Sequence, residues 1–245
     1  MIIDVVKILI TLFIFIKASI HDLREREIPD EFWKFMVTVG LILDVVQYLM
    51  EPYDLTLAVV QFILIFALAN FMFYIAGFGG ADAKALIALS IMFPVYPDFE
   101  VFPLVNKGVG IFAFSVLSNS VIVAPFLALY FFIRNMRERN CRLLYRFIGV
   151  RVDADRIPRF YNLLEYVDEG GKIVRTVRGI EPDEDMLNRL KEAKERGIID
   201  RVWVTPALPF LVFMNFGLIV SAVFGDFLVW AITQIITVYT IINFT

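Results

Sequence analysis

The chain of 245 residues is 59% hydrophobic with a mean hydropathy of +0.73, well above the roughly half-apolar composition of soluble domains. Its net charge of -3 gives no basic footprint for nucleic acid. A single cysteine, Cys141, excludes an internal disulfide and a cysteine-based zinc site. The composition describes a mainly α, polytopic membrane helical bundle, for which no metal or cofactor is expected.

The N-terminus lacks the basic start and small-residue cleavage site of a signal peptide. Ile2 to Ile20 is therefore read as a retained span, about 28 Å long if helical, close to the hydrocarbon thickness. A charged segment follows, Ile20-His21-Asp22-Leu23-Arg24-Glu25-Arg26-Glu27-Ile28-Pro29-Asp30. Trp33 to Met50 is the second span, with Trp33 and Lys34 at its interfacial end, and Leu55 to Ala76 is the third. A glycine-rich break, Gly77-Phe78-Gly79-Gly80-Ala81-Asp82-Ala83-Lys84, leads into a short fourth span from Asp82 to about Phe93. Val109 to Ile133 is the fifth.

From Arg134 the basic residues accumulate, including Arg137, Arg139, Arg142 and Arg146. Residues 134–203 read as a small α+β insert. Leu163 to Val167 and Ile173 to Val177 form a hairpin around Glu169-Gly170-Gly171, and Pro182 to Arg196 is an amphipathic helix stopped by Gly197. Ala207 to Phe224 and Phe227 to Phe244 complete a bundle of six or seven spans. The domain reading is thus a membrane part, 1–133, an insert, 134–203, and C-terminal spans, 204–245. The positive-inside rule places the insert, the Arg24/Arg26 loop and the Gly77–Asp82 break in the cytoplasm and the N-terminus outside.

Carboxylates at a membrane edge are costly and point to a task. Asp22 and Asp82, from separate spans on one face, suit a dyad. Two neighbouring carboxyls share one proton, so one activates water while the other polarises a scissile carbonyl. Gly77, Gly79 and Gly80 permit an unwound backbone to approach closely. Helix polarity assigns the base to Asp82, at a helix start, and the acid to Asp22, at a helix end, with Arg24, Arg26 and Lys84 able to reverse this.

The residues Asp22 to Asp30 resemble the D-x-x-x-R-x-I-P-N stretch of type IV prepilin peptidases, and Gly79-Gly80-Ala81-Asp82-Ala83-Lys84 resembles their G-x-G-D-x-K. The position of the insert and the stretch Val204 to Phe210 are similar to the archaeal branch, the preflagellin and prepilin peptidases. Ala81 replaces the motif's second glycine and Asp30 its asparagine. The resemblance implies a membrane aspartic endopeptidase with Asp22 and Asp82 catalytic, and Gly77, Gly79, Gly80, Ala81, Lys84 and Arg26 near the approaching substrate. It implies as partners archaellin or pilin-like precursors in the lipid bilayer, cut after a short basic leader at the cytoplasmic face. The cysteine loop and methyl-donor site of bifunctional relatives are missing, which implies cleavage without methylation. Glu25, Glu27, Asp30 and Glu31 are candidates to receive the leader.

Three rival readings have distinct signatures. A presenilin-like protease requires a Tyr-Asp pair in a neighbouring span, and Tyr53-Asp54 lies in a turn. A proton-coupled transporter would relay through Asp22, Asp44 and Asp82 near the midplane. An assembly factor would dock through the insert. Of the remaining polar groups, Asp44 reads as an interhelical hydrogen bond or a water-facing site, and Asn70, Asn119 and Asn215 as interhelical contacts. His21 reads as an interface residue and Cys141 as a bystander. Lys84 either acts on Asp82 or snorkels.

Overall fold

The structure, a computed structural model, describes residues 1–138 and 141–244. Arg139, counted among the basic residues above, lies outside them. Two compact units divide the chain, one built from residues 1–123 and 209–245 and the other from 124–208.

The first unit is a helical bundle. Helices α1 (Ile2–Glu25), α2 (Glu31–Met50), α3 (Leu55–Phe71), α4 (Gly80–Met92), α5 (Phe112–Val121), α9 (Phe210–Val223) and α10 (Phe227–Phe244) compose it. Helix α4 packs against α2, α3 and α5, while α1 packs between α2 and α9. Alanines make α4 thin enough for that position: Ala85, Ala88, Leu89 and Met92 are buried against Phe15, Met36, Ile65, Ala69, Phe93 and Phe112. Among the described residues, Glu31–Met50, Leu55–Ile75 and Phe112–Arg134 are long and apolar enough to cross a bilayer. Helix α1 has the length, but Asp4, Lys7 and Lys17 interrupt its apolar run. Trp33, expected at the interface, is instead buried with its ring edge-on to Phe15, 6.1 Å between centroids.

Helix α5 approaches α9 closely because Gly217 lacks a side chain. A Cβ there would stand 2.2 Å from Ser120 Oγ and 2.3 Å from the Val116 carbonyl oxygen. Small residues at such crossings replace the missing hydrophobic drive between helices in lipid with direct packing. The same contact carries polar bonds, since Asn119 donates to Ser221 Oγ and to the Gly225 carbonyl at 2.8 Å each. Fully buried Asp226 accepts from Ser115 and Ser118 and from the Val229 amide, which starts α10.

The second unit contains α6 (Val123–Arg134), α7 (Leu143–Ile148), β1 (Val150–Asp153), β2 (Tyr161–Val167), β3 (Ile173–Ile180), α8 (Glu184–Glu195) and β4 (Arg201–Pro206). The strands form one antiparallel sheet in the order β1-β4-β2-β3. The β2–β3 hairpin and the amphipathic helix match the sequence reading. Strand β4 extends through Val204, Thr205 and Pro206, which the sequence assigned beyond the insert, and α9 starts only at Phe210. Leu163, Val167, Val202 and Val204 meet Leu190 and Ala193 of α8, together with Phe131 of α6.

Helix α8 begins at Asp183, whose carboxylate accepts the Met186 amide at 2.6 Å. Such a cap satisfies one of the unpaired amides of a first turn. Asp183→Ala is expected to destabilise this unit by about 1 kcal/mol. Chemical denaturation followed by the fluorescence of Trp203 checks this, and an unchanged midpoint would count against the cap.

Candidate active site

Helix α1 continues one turn beyond the apolar run and stops because Arg26 adopts a left-handed conformation, φ 59°, with its amide bonded to the Asp22 carbonyl. This places Asp22, 9% exposed, in the last turn of the helix. It also turns the Arg26 guanidinium back to 3.7 Å from the Asp22 carboxylate.

Helix α3 ends in a π-helical turn, Met72–Ala76, an irregularity frequent at functional sites. Gly77 then takes the left-handed region, φ 76°, closing the turn onto the Met72 carbonyl. A side chain would strain the backbone there. Phe78 anchors the loop edge-on against Phe210 of α9, 5.0 Å between ring centroids. Gly79 is extended and α4 starts at Gly80, whose missing Cβ would meet the Phe73 ring at 3.4 Å. Ala81 is half-buried in the first turn. Asp82, at the third helical position, accepts the Gly79 amide at 3.2 Å.

The two aspartates, from helices far apart in sequence, come close enough for the charge of Asp22 to act on Asp82, and Arg26 acts on both. The Gly79 amide and the helix start favour charge on Asp82. Arg26 beside Asp22 favours charge on the other member, against that assignment.

Lys84 does not reach toward Asp82. Residues two apart on a helix do not face each other, and the Lys84 ammonium instead contacts Asp30 at 2.6 Å. This bond holds the Asp30 carboxyl below the usual carboxylate range and ties the α1–α2 loop to α4. A depressed folded-state value means that the pair contributes fully at neutral pH and is lost as acid passes through the lowered pKa. Because the bridge is exposed, Lys84→Met should leave the melting temperature at pH 7 nearly unchanged while Asp30 titrates near its ordinary ~3.9. Infrared titration of labelled aspartate measures this, and an unmoved Asp30 would refute the pairing.

The remaining candidates take structural places. His21 is 3.7 Å from Glu25 and packs against Phe32. Asp54 caps α3 by accepting the Thr56 and Leu57 amides. Asn119 and Asn215 bond across helices, Asn215 to the Phe15 carbonyl and Ser19. Asn70, expected to do the same, instead donates to Phe66 within its own helix. Cys141 contacts Glu138 and Arg146. Asp44 does make an interhelical bond, and its partner, Lys7, went unnoticed in the sequence. A lysine inside an apolar run was the available signal.

The type IV leader peptidase family profile matches residues 9–133, which contain both aspartates and their motifs. The chain belongs to the type IV leader peptidase family. The profile of the archaeal peptidase A24 C-terminus, type II, matches residues 141–227. Three preflagellin peptidases align over most of the chain. That of Methanocaldococcus jannaschii is 29% identical over 216 residues, 85% of this chain and 89% of the relative. Those of Methanococcus voltae and Methanococcus maripaludis are 25% and 23% identical over 222 residues, covering 85% of this chain and 91% and 90% of the relatives. This member of the leader peptidase family is a peptidase of the prepilin and preflagellin type.

Proposed function

We propose that this peptidase cleaves archaellin or type IV pilin-like precursors between a short basic leader and the following membrane helix, using Asp22 and Asp82 around one water. The observation that supports the reading is that Asp22, at the end of α1, and Asp82, at the start of α4, lie near enough for the charge of one to act on the other, with the Arg26 guanidinium 3.7 Å from Asp22. A shared proton lets one carboxyl accept a proton from water while the other donates to the carbonyl oxygen, and the exchange reverses as the amine leaves. No covalent intermediate is formed. Gly77 has open space where a side chain would stand, and Gly79 puts no side chain in front of the Asp82 carboxylate, which leaves room for an extended substrate segment beside it.

The site faces the cytoplasm in this reading, with residues 134–203 as a cytoplasmic insert between membrane parts 1–133 and 204–245. Six or seven segments cross the bilayer, α1, α4, α9 and α10 joining the three that are long and apolar enough on their own. A basic leader is retained on the cytoplasmic side. Asp30 is engaged by Lys84 and Glu25 lies near His21, so receipt of the leader's charge by these residues requires exchange of those partners. The transporter alternative is disfavoured because Asp44 pairs with Lys7 rather than joining Asp22 and Asp82 in a relay.

Purified full-length protein incubated with a synthetic leader-plus-helix precursor should give one cut at the leader junction, read by mass spectrometry. Intact precursor, or cuts scattered along the helix, would end this reading.

A further inference from the structure

Lys7 is 1% exposed, within the apolar half of α1. A buried ammonium in such a place must be paired. It donates to Asp44 Oδ1 and to Gln47 Oε1 on α2, both at 2.5 Å. Gln47 donates in turn to Asp4 at 3.1 Å, and Asp4 meets the N-terminal ammonium at 3.1 Å. The proposed chemistry uses none of these groups.

Their place on α1 connects them to it. The buried stripe of this helix is Asp4, Lys7, Thr11, Ile14, Phe15, Ala18, Ser19 and Asp22, so Lys7 and Asp22 lie on one face of one continuous rod, about 22 Å apart at ~1.5 Å per residue. Rotation that withdrew Lys7 from Asp44 would carry Asp22 away from Asp82, and a slip of one residue would break both alignments. Burial of apolar area does not prevent such motion, because the outward face carries Leu9, Phe13 and Ile16 and lipid accepts either face equally. Directional contacts must do so. Asn215 holds the middle of the stripe to α9 through Phe15 and Ser19, and the Lys7 pair holds its N-terminal half to α2.

We propose that Lys7 and Asp44 are positioning residues, an ion pair that fixes the rotation and axial setting of α1 so that Asp22 faces Asp82. The proposal rests on the two-aspartate reading. Setting register is the best-attested use of a buried polar group, and replacing such a pair with apolar residues often leaves stability intact. The informative variant is therefore Lys7→Met/Asp44→Leu, which leaves no unpaired charge.

The full chain, with Cys141→Ser, carries spin labels at Leu23→Cys and Tyr74→Cys, both on exposed positions, and the distance between them is measured by electron double resonance. The double variant should unfold at the wild-type temperature, show a broadened or displaced distance, and lose about 100-fold in kcat, as expected for an ångström-scale misplacement, with KM changed less than about twofold. A wild-type distance with wild-type kcat overturns the proposal, as does failure of the double variant to fold, which would make the pair purely structural. Undiminished cleavage by Asp22→Asn removes the active-site reading itself, an outcome that the distance measurement does not depend on.

Discussion

Asp22→Asn and Asp82→Asn are each expected to reduce cleavage of a leader-bearing precursor by at least about 10²–10⁴-fold, the range supplied by a positioned acid or base. The arrangement also fixes what the two changes do together. A carboxamide cannot hold the shared proton in either role, so one substitution already dismantles the unit and the double variant should be no slower than the worse single one. Melting temperatures should stay near wild type, because a carboxamide keeps the shape of the carboxyl it replaces and removes no packing. Time courses with purified variants measure this. Retention of more than about a tenth of the activity by either variant, where ~10² is the smallest loss expected, would remove that residue from the chemistry.

The second large effect concerns folding. Gly217→Val is expected to destabilise the bundle by about 3 kcal/mol or more, beyond the usual ~1–3 for overpacking. A Cβ at 2.3 Å from the Val116 carbonyl oxygen meets main chain that cannot turn aside. Gly40→Ala is the comparison, since its Cβ would stand 3.1 Å from Met92 Cα, and a smaller loss of about 1 kcal/mol follows from the milder overlap. Thermal unfolding in detergent ranks the pair, and equal stability of Gly217→Val and wild type would show that α5 and α9 are not in this contact.

The candidate site was readable because its proposed chemistry depends on residue type and order. Asp22 and Asp82 stood out as carboxylates at the ends of apolar runs, and Gly77 as the residue that must break a helix. The hairpin and α8 were visible through turn glycines and an amphipathic period. Less was readable where geometry decides. Strands β1 and β4 are short, and the end of β4, Val204-Thr205-Pro206, runs into the apolar residues of the next helix, so no polarity change marks where the sheet stops. Nothing in the spacing of Lys84 and Asp30 predicts a bond across 54 positions, although the helical period does show that Lys84 points away from Asp82. The Lys7–Asp44 pair joins two isolated charges, and partner choice there follows from the packing of α1 on α2.

Arg26 shows what the site demands of the backbone. A non-glycine residue at φ 59° costs of order 1–3 kcal/mol unless its surroundings compensate, and glycine would end the helix there more comfortably. Only a long cationic side chain, however, can fold back over Asp22 from that turn. The position therefore sets main-chain comfort against charge: the substitution that relaxes the helix end also strips Asp22 of its cation and, under the proposed mechanism, would give a firmer and slower enzyme.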